Sequence, residues 1–151
     1  MSFLNSFDIN ASGMSAQRTR LDIASENIAN VDTTRTANGG AYRRKDVVLE
    51  SYGEKATFAN ALRRARTGEK TVGSGKMGIR VSEVVEDTTA LKRVYDPENP
   101  DADANGYVEK PNVDVLKETV DAMSATRSYE ANVTALNAIK QMTQSAMNIG
   151  K

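Results

Sequence analysis

The sequence predicts a mainly α fold, with long N- and C-terminal helices pairing as a coiled coil around a central irregular segment that holds a short β-hairpin. Three observations predict it. Apolar residues recur every seven positions at both ends, and the middle lacks that period. The stretch from Val113 to Met147 contains neither Pro nor Gly.

At the N-terminus, Phe7, Met14, Leu21 and Ile28 step by sevens. Leu4, Ala11 and Ala24 widen this stripe, and Arg18 and Ser25 interrupt it. Gly13 weakens the helix by about 1 kcal/mol relative to Ala. Asn30 is the expected stop, because Asn tolerates the left-handed conformation.

In the middle, Tyr42 to Leu49 reads as a short strand. Gly53 to Gly75 is polar and basic, with a short helix around Phe58 to Ala65. Met77, Ile79 and Val81 alternate onto one face of a second strand that runs to Glu86. Asp96 to Pro100 is extended, since each proline pushes the preceding residue out of the helical region.

Pro111-Asn112 signals the last helix, with Asn112 expected as cap and Asp114 in the first turn at the positive end of the dipole. Val115, Ala122, Tyr129 and Leu136 step by sevens, joined by Ala125, Ile139 and Ala146. Val120 and Met123 broaden the stripe near its start. At 1.5 Å per residue the helix is about 50 Å long, more than an ordinary globular helix needs. The chain thus divides into an N-terminal helical segment 1–35, a central segment 36–110 and a C-terminal helical segment 111–151, the two ends forming one structural domain.

Composition narrows the function classes. The chain has 151 residues, enough for one modest domain. Leu, Ile, Val and Phe together number 29, about a fifth, while Asn, Ser and Thr number 36 and Ala 19. Two thin stripes on long helices bury too little surface to offset an ordering cost of about 1–2 kcal/mol per residue. The helices therefore read as interaction elements whose burial is completed by neighbours. With no Cys there is no disulfide, thiolate nucleophile or Cys-based zinc site. With no His there is no Ser-His-Asp triad or imidazole ligand. No spacing of Ser, Lys and carboxylates selects a nucleophile and base, so no catalytic, metal or cofactor residue is assigned and no enzyme activity is expected. No apolar run approaches a membrane span, and Met1 to Asn10 lacks the pattern of a cleaved secretory signal.

The zero net charge conceals blocks. Residues 1–40 carry net −1, 41–80 net +6, 81–110 net −5 and 111–151 net 0. The basic cluster Arg63, Arg64, Arg66, Lys70 and Lys76 offers the alternative reading, a nucleic-acid-binding loop over residues 55–80. Only Phe58 interleaves aromatics there, which disfavours base stacking. The Asp101 to Asn112 run places Asp101, Asp103 and Asn105 at calcium-loop positions, with Gly106 at the turn. Asn112 stands where a bidentate Glu is needed, so the run reads as an acidic turn leading into the last helix.

The runs Ala11-Ser-Gly-Met-Ser-Ala-Gln17 and Asn27-Ile-Ala-Asn-Val-Asp-Thr33 resemble the N-terminal signature of flagellar rod and hook proteins. Val94-Tyr-Asp-Pro97, Asp101-Ala-Asp103, Gly106-Tyr-Val108 and Pro111-Asn-Val113 resemble the FlgC-type proximal-rod family of the bacterial flagellar basal body. Ala125 to Val133, Leu136-Asn-Ala138 and the final Asn148 to Lys151 are similar as well. The resemblance implies a structural subunit of the periplasm-spanning rod that transmits torque to the distal rod and hook. It implies export by the flagellar type III apparatus without a cleaved signal peptide. Implied partners are other copies, other proximal- and distal-rod proteins and the protein joining the rod to the membrane ring, with no cofactor, nucleic acid or direct membrane insertion. It implies that Phe7, Met14, Leu21 and Ile28 face Val115, Ala122, Tyr129, Leu136 and Ile139 within or between subunits. Asn27, Asn30 and Asp32 would form a signature turn satisfying backbone groups at the first helix's end.

Overall fold

The computed structural model describes residues 3–37, 39–52, 62, 66 and 78–149. Its elements are α1 (Phe3–Ala29), β1 (Lys45–Tyr52), β2 (Gly78–Glu86), β3 (Lys92–Tyr95), β4 (Tyr107–Lys110) and α2 (Val115–Ile149). The fold is mainly helical with a central β segment. Most of Gly53 to Gly75 lies outside the described residues, including the expected helix near Phe58 and the cations Arg63, Arg64 and Lys70; so does Lys76.

The two helices pack side by side and antiparallel. Gly13 lies against Asn132, and Asn27 bonds to Glu118, equal steps along each helix. Small residues make this approach possible: Ala24 and Ala125 are buried in the seam. A Cβ on Gly13 would come within 3.0 Å of Asn132 Nδ2.

Side-chain amides and carboxylates close the helix ends. The Asn30 backbone N–H donates to the Glu26 carbonyl at 3.1 Å, and its side-chain amide donates to the same oxygen at 2.9 Å. At α2 the cap differs from the expected Asn112. Asp114 accepts the Leu116 N–H at 3.0 Å, and its carbonyl takes the first helical bond from Glu118. Asn112 instead accepts the Arg44 N–H at 2.8 Å and donates to Thr89 Oγ1 at 2.8 Å. An amide carries both donor and acceptor and suits this bridge, whereas an acceptor-only carboxylate suits the helix N-terminus.

β1 and β2 form an antiparallel pair with Lys45 opposite Glu86 and Tyr52 opposite Gly78. The register slips between Val48 and Leu49, leaving Ser82 as an extra residue whose hydroxyl donates to the Val48 carbonyl at 3.1 Å. α1 is the middle layer, with this hairpin on one flank and α2 on the other. Ser12 Oγ fastens the hairpin to α1 by accepting the Ile79 N–H at 3.1 Å.

β3 and β4 form a second antiparallel pair, with Tyr95 and Tyr107 edge to face at 5.3 Å. Asp103 turns the chain between them. Its carboxylate accepts the N–H groups of Asn105 and Tyr107, and these bonds hold its pKa below the usual carboxylate range. Gly106 completes the turn at φ +78°, where a Cβ would meet the Tyr95 ring at 2.9 Å. Asp101 accepts from the Thr34 hydroxyl at 2.7 Å, which ties this hairpin to the chain leaving α1. The calcium-like run is thus a turn whose carboxylates bond to protein groups.

Candidate functional site

The site is a buried polar clasp where α1 ends, β1 begins and α2 starts. Its centre is Asn27, 0% exposed, which uses the full capacity of its amide. Nδ2 donates to the Lys45 carbonyl at 2.8 Å and to Glu118 Oε2 at 2.9 Å. Oδ1 accepts the Lys45 N–H at 2.9 Å and the Tyr42 hydroxyl at 2.9 Å. Toward Lys45 the amide acts as a neighbouring strand would, pairing one N–H and one C=O.

Glu118, 2% exposed, links this amide to a charge. Its Oε1 accepts Arg44 Nε at 2.6 Å. The guanidinium also lies 3.3 Å from Asp46 and 3.7 Å from Asp121, so it faces three carboxylates. Desolvation opposes its charge, yet hydrogen bonding and attraction from Glu118 prevail and raise its pKa. The Tyr42 phenol is pushed up to about 12, first by burial and then by the negative charges of Glu26, Glu118 and Glu86. It therefore stays a neutral donor. Lys45 Nζ pairs with Glu26 at 2.5 Å and lies 5.6 Å from the Tyr42 ring centre.

The chemistry available here is mechanical. Every strong donor meets an acceptor, and the nearby cavity is about 20 Å³, lined by Arg20, Ile23 and Arg44 among others. Among the described residues no group of three or more acidic side chains could hold a metal.

The expected site residues fall in three places. Phe7, Met14, Leu21, Ile28, Ala122, Leu136 and Ile139 are half-buried, while Val115 and Tyr129 are exposed. The innermost positions of α2 are Glu118 and Ala125, and Asn132 follows at the same spacing against Gly13. The seam on α2 is therefore phased three residues from the stripe starting at Val115. Asn27 and Asn30 sit at the α1 terminus as described, with Thr33 Oγ1 donating to Asn30 Oδ1 at 3.1 Å. Asp32 points to solvent, 3.8 Å from Lys110 Nζ.

Sequence reasoning missed Tyr42, Arg44 and Glu118. Nothing local singled out Glu118, since Asp121 shares the stretch between the heptad positions Val115 and Ala122. Nothing local marked Arg44, because its partner is 74 residues away.

Comparison with known proteins places both helices in one lineage. Residues 7–35 match the family described as flagella basal body rod protein, and residues 104–149 match the flagellar basal body rod FlgEFG protein C-terminal family. The chain is 50% identical over 155 residues to the flagellar basal-body rod protein FlgC of Bacillus subtilis (strain 168), with both chains fully covered. It is 42% identical over 151 residues to the protein of that name from Escherichia coli O6:H1, again over all of both chains. With that of Borreliella burgdorferi it shares 39% over 158 residues, covering 99% of this chain and 98% of the other. The chain belongs to the FlgC family of flagellar basal-body rod proteins.

Proposed function

We propose that this structural subunit of the basal body builds the proximal part of the rod, and that its helices form a coiled-coil inner layer through which torque passes to the distal rod and hook. The observation that supports this most is the clasp. Asn27, Tyr42, Arg44 and Glu118 join both helices and the hairpin at one buried point, so force on either helix reaches the β segment without a loose hinge. The half-buried Phe7, Met14, Leu21 and Ile28, with Ala122, Leu136 and Ile139, thicken the pairing. The exposed Val115 and Tyr129 face outward for contacts between subunits. Asn27, Asn30 and Asp32 form the turn that ends α1. Partners are other copies, the remaining rod proteins, the ring-to-rod junction and the type III export apparatus, through which the chain travels without a cleaved signal.

Deleting the gene and examining purified basal bodies tests this reading. Rings without a rod, restored by the intact gene, are expected, and complete rods in the deletion strain would overturn it. The net +6 and −5 blocks meet between neighbouring subunits in this reading. Reversing Arg63, Arg64 and Arg66 to Glu should then abolish rod assembly and swimming; motility at the parental level would remove the charge argument.

A further inference from the structure

We propose that the outer face of α2 docks into the groove between α1 and the β1–β2 hairpin of a second copy of this chain. Leu116, Val120 and Met123 are 80%, 64% and 51% exposed. At i, i+4 and i+7 they form one ridge about 10 Å long, on the side of α2 turned away from α1. A ridge of three large apolar side chains without cover marks an interaction surface.

The hairpin side of α1 carries the complementary shape. A groove of about 460 Å³ lies between α1 and the hairpin. Small residues Ser12, Ser15, Ala16 and Thr19 line one side, and Tyr52, Ile79 and Val81 line the other. Ser12 to Thr19 also spans about 10 Å, so the ridge and groove match in length. Charge agrees with shape. Arg127 and Glu130 continue the ridge at helical spacing, both exposed. Arg80 lines the groove and pairs with Glu50 at 2.8 Å, both half-exposed. Docking offers each of these four groups an opposite charge across the interface.

A second copy is the occupant because both halves belong to one chain and are separated by α1. The hairpin, α1 and α2 lie in that order across the layer, so the ridge cannot fold back into its own groove. A two-fold dimer through the ridge would leave the groove empty. Ridge into groove uses both surfaces and leaves one of each free at the ends, which propagates as a ring or helix. The proposal rests on the rod reading and adds the lateral contact.

The absence of cysteine makes the test direct. Met123→Cys and Ile79→Cys are introduced singly and together, and assembled basal bodies are treated with a short bis-maleimide. The doubly substituted chain should give a ladder of multimers, the two single variants mixed should give dimers, and each alone should stay monomeric. Dimers from either single variant alone, or no cross-link in basal bodies that contain the chain, would overturn the contact and leave the rod reading standing. Absence of the wild-type chain from basal bodies would overturn the rod reading itself. In a second variant, Val120→Lys, the chain should be lost from basal bodies while the isolated protein keeps its helical circular dichroism. Normal incorporation of Val120→Lys would also overturn the contact.

Discussion

Asn27 spends both donors and both acceptors inside the clasp, so its neighbours have no spare partner if it is lost. The Arg44–Glu118 pair is the costlier part, because burying charge is unfavourable unless the pair stays intact. Glu118→Leu should destabilise the isolated chain by about 3 kcal/mol, and Arg44→Met by a similar amount. The double variant should cost well below the combined loss, since neither charge is then left alone. Denaturant unfolding of the four chains measures this, and simple additivity would contradict it. Tyr42 supplies a separate readout. Its folded-state pKa lies near 12 against an ordinary 10.0, so the folded chain holds the proton more tightly. That stabilisation is complete below pH 10 and is lost as pH rises toward 12. Tyr42 should ionise late by phenolate absorbance, and Tyr42→Phe should remove that step and flatten the alkaline loss of stability. None of this was visible in the sequence, where Asn27 stood only as part of a turn. The clasp joins residues up to 91 positions apart, and no local pattern encodes that meeting.

At the scale of elements, the helices and strands were far more legible than their faces. Freedom from Pro and Gly announced α2, and alternation announced β2, because backbone preference is local. The phase of the α2 seam was legible only in part, because close helix packing selects small residues. Ala125, which joined the apolar stripe, lies inward with Glu118 and Asn132, whereas Val115 and Tyr129 of the seven-residue series are exposed. Gly13 shows the same logic on α1. Replacing it with Ala in an exposed helix gains about 1 kcal/mol. Here the new methyl would meet the Asn132 amide at 3.0 Å, and that side chain would have to give way. Gly13→Ala should therefore stabilise by less than the helix-propensity gain, and adding Asn132→Ala should release the withheld part. A full gain of about 1 kcal/mol from Gly13→Ala alone, in thermal unfolding, would show that the seam is looser than drawn.

At the scale of the molecule, stability is distributed unevenly along the helix pair. One end of the pair is held by the clasp, which adds an ion pair and a saturated amide to the buried Ala24 and Ala125. Toward the opposite end the seam runs through Gly13 and Asn132, small or polar groups that contribute little burial, and Met142 and Met147 of α2 are exposed. Local opening costs least where few apolar contacts close the structure. Amide hydrogen exchange in the isolated chain should therefore be slowest near Asn27 and Glu118. It should quicken along both helices, toward Phe3 in α1 and toward Ile149 in α2. Such a chain unzips from the end remote from the clasp, an order suited to a subunit that must thread a narrow channel and then set firmly. Incorporation into basal bodies supplies new neighbours to that remote end, so the same gradient should flatten there. Uniform protection in the isolated chain, or a gradient unchanged by assembly, would mean that the clasp is one contact among equals and that neighbours do not complete the seam.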